Sequence, residues 1–95
     1  RIIYNGVVVL TLILDKKGGI VGLPKLTTHA LMNDDEVTYI VEILTDKIKE
    51  AFKDLSPEKL RDDDVVEETA RITVRKSLRE TYAKRPLVTV HIVRI

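Results

Sequence analysis

The sequence contains no cysteine, so neither a disulfide framework nor a thiolate metal site is available to it, and nothing in it points to secretion. It has no tryptophan, one phenylalanine and three tyrosines, which leaves little aromatic surface for stacking on nucleobases. No apolar run approaches the ~20 residues of a membrane-spanning helix, and no basic segment leads into an apolar stretch at the start, as a secretory signal requires. A charge excess is also missing. Sixteen Lys and Arg stand against fifteen Asp and Glu, a formal net charge of +1, which is a mixed-charge surface rather than the strongly basic balance of a dedicated nucleic-acid binder. There is no internal repeat and no low-complexity segment.

What is present is one domain of 95 residues, small enough that its core is modest and gains from burial against something else. The start at Arg1-Ile2-Ile3, without Met, suggests a segment of a longer protein. The organising stretch is Val7-Val8-Val9-Leu10-Thr11-Leu12-Ile13-Leu14, in which seven of eight residues are apolar and five are β-branched. It reads as a central strand. Before it, Asn5-Gly6 signals a turn or bulge, with residues 2–4 as an extended lead-in. After it, Asp15-Lys16-Lys17-Gly18-Gly19 reads as a hairpin loop, and residues 20–28 as an antiparallel return strand. Pro24 within that strand cannot donate to a ladder and places it at a sheet edge.

Asn33-Asp34-Asp35-Glu36 opens a helix over residues 34–54, with Asn33 or Asp34 as cap and Val37, Ile40, Val41, Leu44, Ile48, Ala51, Phe52 and Leu55 at helical spacing. Ser56-Pro57 starts a short helical turn. Asp62-Asp63-Asp64 opens a second long helix whose packed side is Val66, Ala70, Thr73, Val74, Ser77, Leu78 and Thr81, with Val65 and Ile72 at its border. The helix ends at Lys84-Arg85-Pro86, and residues 87–95 form a third strand with Val88, Val90 and Ile92 on one face and Leu87, Thr89, His91, Val93 and Ile95 on the other. The expectation is an α+β fold, β-β-α-α-β, with two helices on one face of a three-stranded mixed sheet of order 2-1-3 and the last strand parallel to the first.

The acidic clusters sit at helix starts, where capping and the helix dipole account for them without a metal. His29 and His91 lack the spacing and number of a zinc site, and His91 is expected to be a partly buried, hydrogen-bonded side chain. No nucleophile elbow, phosphate-cradling glycine loop or paired-carboxylate arrangement appears, so no catalytic and no metal-binding residue is assigned. Arg71, Arg75, Lys76, Arg79, Lys84 and Arg85 outnumber the one acid in their stretch, Glu80. They suit a solvated helix end and, alternatively, contact with phosphates.

Two stretches taken together resemble the C-terminal domain of ribonuclease J: Asn5-Gly6-Val7-Val8-Val9 through Leu14-Asp15 to the glycine turn and Pro24, and Val66-Glu67-Glu68 through Arg75-Lys76-Ser77-Leu78-Arg79 to Lys84-Arg85-Pro86-Leu87-Val88. The resemblance covers nearly the whole chain, and a Thr-Val-His strand after the proline looks α-proteobacterial. Where the family often has Met and a later Pro, this chain has Leu87 and Val90, and Val90 lets the last strand pair continuously. The resemblance implies a bacterial, cytoplasmic parent enzyme of the metallo-β-lactamase/β-CASP type. Such a parent degrades and processes RNA as an exo- and endonuclease, using zinc held by motifs that this chain lacks. The small domain is associated there with dimer assembly and full activity.

Three readings follow. In the first, the chain is a non-catalytic assembly module whose uncovered sheet face, with Leu87, Thr89, Val93, one face of the opening strand and the border residue Ile72, meets a second copy or the parent's catalytic domains. In the second, it is an accessory module contacting RNA through Arg75, Arg79, Lys84 and Arg85. In the third, it is an unrelated α+β protein-interaction domain. No membrane partner is expected.

Overall fold

The computed structural model describes residues 6–29 and 32–95. The expected lead-in at residues 2–4 and Asn5 lie outside the described residues. Six elements follow in order: β1 (Val7–Leu14), β2 (Lys25–His29), α1 (Asp34–Lys53), the single turn α2 (Pro57–Leu60), α3 (Asp63–Tyr82) and β3 (Leu87–Arg94). The sheet order is β2-β1-β3, with β1 antiparallel to β2 and parallel to β3. This is the α+β, three-stranded mixed sheet that the apolar pattern predicts, with α2 as the short turn after Ser56.

β1 pairs with β3 without interruption from Val7 opposite Leu87 to Leu14 opposite Arg94, and Val90 takes its place opposite Leu10. Alternation then divides each strand between two faces. Val8, Leu10, Leu12 and Leu14 are fully buried, with Leu26, Val88 and Val90 beside them. Over them lie Ile40, Val41, Leu44, Ile48 and Phe52 of α1 and Val66, Ala70, Val74 and Leu78 of α3. A parallel strand pair needs a crossover, and the two helices supply it as an antiparallel pair, with Glu36 near the start of α1 close to Tyr82 at the end of α3. The packed stripe of α3 runs on from Leu78 to Tyr82 and leaves Thr81 exposed, because a step of four residues keeps to the stripe better than a step of three.

The helix starts are capped as their residues dictate. Asn33 accepts from the Glu36 amide while the Glu36 carboxylate accepts from the Asn33 amide, a reciprocal capping box. Ser56 caps α2 ahead of Pro57. Asp62 Oδ1 accepts from the amides of Asp64 and Val65 at the start of α3.

The return strand is shorter than the sequence suggests. β2 begins only at Lys25, and Ile20 makes an isolated bridge to Leu14. Between the Leu14–Ile20 and Thr11–Lys25 pairs, β1 has two residues where the returning chain has four. The Val21 amide still donates to the Ile13 carbonyl at 2.8 Å, but Gly22 is left-handed at φ 67° and Pro24 has no N–H, so residues 22–24 bulge out of the ladder. Pro24 is buried just ahead of the strand rather than within it, and the strand is still an edge.

The hairpin is held by Asp15, whose Oδ1 accepts from the Lys17 and Gly19 amides at 2.8 Å each, with Gly18 at φ 88° making the turn. These hydrogen bonds, that of Gly19 foremost, hold the Asp15 carboxyl below the ordinary aspartate range. At the same end of the sheet Arg94 sits on the covered face and joins three segments. It donates to the Asp15 carbonyl at 3.2 Å, to the Leu60 carbonyl at 2.6 Å and to Asp63 Oδ1 at 2.9 Å.

Two stability tests follow from this end of the sheet. Replacing Arg94→Met leaves the Leu60 carbonyl without its donor, and the Asp15 carbonyl with the Gly18 amide alone, and is expected to cost about 1–3 kcal/mol in urea unfolding. Asp63→Asn, which removes only an exposed ion pair, should stay within about 0.5 kcal/mol; equal effects would mean that the ion pair, not the carbonyl contacts, holds the end together. For Asp15, a folded-state pKa below the unfolded one adds stability above the unfolded value, and that stability is lost as pH falls below about 4 and through the folded value. Asp15→Asn keeps an acceptor but no titrating charge, so thermal melts of this variant should lose less stability between pH 5 and the acid limit than those of the parent chain.

Candidate functional site

Two surfaces are left over once the core is accounted for, and they lie on opposite sides of the sheet. The first is the sheet face away from the helices. It presents Val7, Val9, Thr11 and Ile13 from β1, Lys25, Thr27 and His29 from β2, and Leu87, Thr89, His91 and Val93 from β3, in direct register. Val7, Ile13, Leu87, Val93 and the following Ile95 are each between 37 and 63% exposed, against 0–1% for the four buried residues of the same central strand. Leu87, Thr89 and Val93 of the expected face lie here, and the face of the opening strand expected beside them is that of Val7, Val9 and Ile13, which alternate with the buried Val8, Leu10 and Leu12.

His91 is exposed on this face rather than partly buried, because the helices cover the other side. His29 is on the same face, opposite Val7, while His91 is opposite Thr11. Two strand spacings and four residues of rise separate them by roughly 16 Å, too far to share a metal ion. Among the described residues no three His, Asp or Glu side chains converge as metal ligands, so the donor set does not fit zinc. Of the acids at 62–64, Asp62 is occupied as the cap of α3 and Asp63 as the partner of Arg94. No helix among the described residues is long and apolar enough to cross a membrane.

The second surface is a depression of about 340 Å³ on the helical side, lined by Ile72, Arg75, Lys76 and Arg79 of α3 and by Lys84, Arg85 and Pro86. The four helix residues fall at i, i+3, i+4 and i+7, which is one stripe. Ala83 ends α3 in the left-handed conformation at φ 53°, its N–H donating to the Arg79 carbonyl, and so turns Lys84 and Arg85 back beside that stripe. The expected phosphate-contacting residues Arg75, Arg79, Lys84 and Arg85 therefore do converge, and Lys76 joins them. Ile72 does not join Leu87, Thr89 and Val93. It is 52% exposed on α3, on the other side of the sheet, at the rim of the basic depression. Arg71 is turned to Glu68, whose carboxyl it holds below the ordinary glutamate range by a hydrogen bond, with Arg75 adding a weaker attraction.

No match to the chain was found among curated proteins. The family model of the ribonuclease J C-terminal domain matches residues 1–95, from end to end. With the strand order, the helix pair and the Arg-Pro-led last strand in place, the chain belongs to the ribonuclease J C-terminal domain family, as an accessory domain of that ribonuclease.

Proposed function

We propose that this domain is a non-catalytic assembly module of a ribonuclease J, and that its open sheet face pairs with a second copy. In this reading RNA cleavage and its zinc chemistry belong to the parent's catalytic domains, in a bacterial cytoplasm. The observation that carries it is the apolar sheet face, on which Val7, Ile13, Leu87 and Val93 stand exposed among threonines, with Lys25 and the two histidines as its polar groups.

Face-to-face packing of two such sheets is an ordinary way to bury alternating apolar residues. Size sets its strength. Strands of eight, five and eight residues present roughly 330 Å² of sheet face. A stable interface buries about 800 Å² on each partner. Pairing through the face alone is therefore weak, and the rest of the enzyme has to add to it.

The expected behaviour of this chain in sedimentation velocity is concentration-dependent self-association, abolished by Leu87→Lys with Val93→Lys. Both positions are exposed, so the melting temperature of the monomer should barely move. A chain that stays monomeric at millimolar concentration sinks self-pairing. The same double substitution loosening this domain from the rest of the parent enzyme would then identify the catalytic domains as what covers the face.

A further inference from the structure

β3 ends the sheet on one side, and its outer edge has no neighbour among the described residues. The Leu87 amide donates to the Gly6 carbonyl and the Ile95 amide to the Leu14 carbonyl. Backbone groups alternate in direction along a strand, so the odd-numbered residues of β3 turn theirs to β1. Val88, Val90, Ile92 and Arg94 therefore each turn an N–H and a C=O to the open side. Such a row is a template for one more strand.

Folded proteins blunt free edges with a proline, a bulge, a charge or a very short strand. The β2 edge is blunted in this way. It has five residues, begins on Lys25 and follows the bulge at residues 22–24. β3 has eight residues in unbroken register, and its first three outward-turning positions are Val88, Val90 and Ile92, with neither proline nor charge. That edge is open to pairing.

A second copy does not fit it. α1 packs on β2 and α3 on β3, two strand spacings apart, which is about 10 Å. An antiparallel β3–β3 pair about a twofold axis sets the partner's α3 on the same face, about 5 Å from this one. Helices pack about 8–10 Å apart. A bare extended segment brings no helix and meets no such conflict.

The edge leads into the basic depression, because Pro86, the residue before β3, is part of its lining. Ile72 is half exposed there, and Arg75, Lys76, Arg79 and Lys84 stand around it with no carboxylate in the lining. We propose that the β3 edge and this depression together bind an extended acidic peptide. The peptide adds to the sheet antiparallel to β3, the slightly stronger of the two ladders, so its C-terminal end passes Leu87 and places its carboxylates among the cations. A row of alternating donors and acceptors is matched by a polypeptide backbone, whereas a chain of phosphates has acceptors only. The inference does not rest on the pairing of sheet faces, since it uses backbone groups of β3 and side chains on the helical side.

Fluorescence anisotropy provides the test, with a labelled peptide of alternating Thr and Val that ends in three glutamates. The same peptide ending in three lysines should bind at least tenfold more weakly. N-methylation of every second amide in one parity removes the donors that face β3 and should abolish binding, while the other parity should leave it intact. Arg75→Gln with Arg79→Gln, both exposed, should weaken binding roughly fivefold, and Lys47→Gln on the neighbouring mixed surface not at all. Thermal melts establish that each variant is folded. Absence of binding at millimolar concentration overturns the proposal. So does equal binding by the two N-methylated series, by the lysine-ended peptide or by the arginine variants. Sedimentation in the presence of the peptide should show self-association unchanged. If the peptide disperses it, a second copy holds the edge and the proposal fails, whereas a monomeric chain that still binds the peptide overturns only the assembly reading.

Discussion

The parallel pairing of β1 with β3 is the constraint from which the rest of this domain follows. Parallel neighbours cannot be joined by a tight turn, so the chain has to leave the sheet, cross it and return in the same direction. α1 and α3 make that crossing, and both lie on the face that carries Val8, Leu10, Leu12 and Leu14. Once both long helices are committed to one face, none of the elements among the described residues is left to cover the other. The apolar residues exposed there, Val7, Ile13, Leu87 and Val93, are thus a consequence of topology rather than a local fault in patterning.

The same constraint places the basic depression. α3 has to end near the start of β3, and the reversal between them is compressed into residues 83–86. A left-handed Ala83 takes up most of that turn, in a conformation that disfavours side chains with a Cβ by about 1–2 kcal/mol. Pro86 is buried immediately before the strand, and the Leu87 amide donates to the Gly6 carbonyl to begin the ladder. Lys84 and Arg85 are held between these two fixed points, next to the last turns of α3. At the opposite end of β3 the closure is made by Arg94, whose three acceptors come from the hairpin, α2 and α3.

Much of this was legible in the sequence because it depends on local signals. The eight-residue apolar run of β1, the caps at Asn33, Ser56 and Asp62, and the periodic stripes of the two helices each carry their information within a few residues. Sheet order was legible too, since a weak return strand belongs at an edge. What was not legible depends on distance in the chain. The bulge at residues 22–24 arises from a mismatch between two separated pairings, and the position of Ile72 relative to Leu87 requires knowing which side of the sheet α3 lies on. Arg94 is an intermediate case. It shares the parity of Val88, Val90 and Ile92, so a cation on the covered face was visible, but its acceptors at Asp15, Leu60 and Asp63 were not.

The two surfaces are on opposite sides of a layer one sheet and one helix pair thick, and they have separate origins. The exposed sheet face follows from strand parity, since each apolar residue on it alternates with one under the helices. The depression follows from the reversal at Ala83, which turns Lys84 and Arg85 back beside the last turns of α3. The two share no residue, so whatever covers the sheet face leaves the depression open, and a change of charge on the last turns of α3 leaves the sheet face as it is.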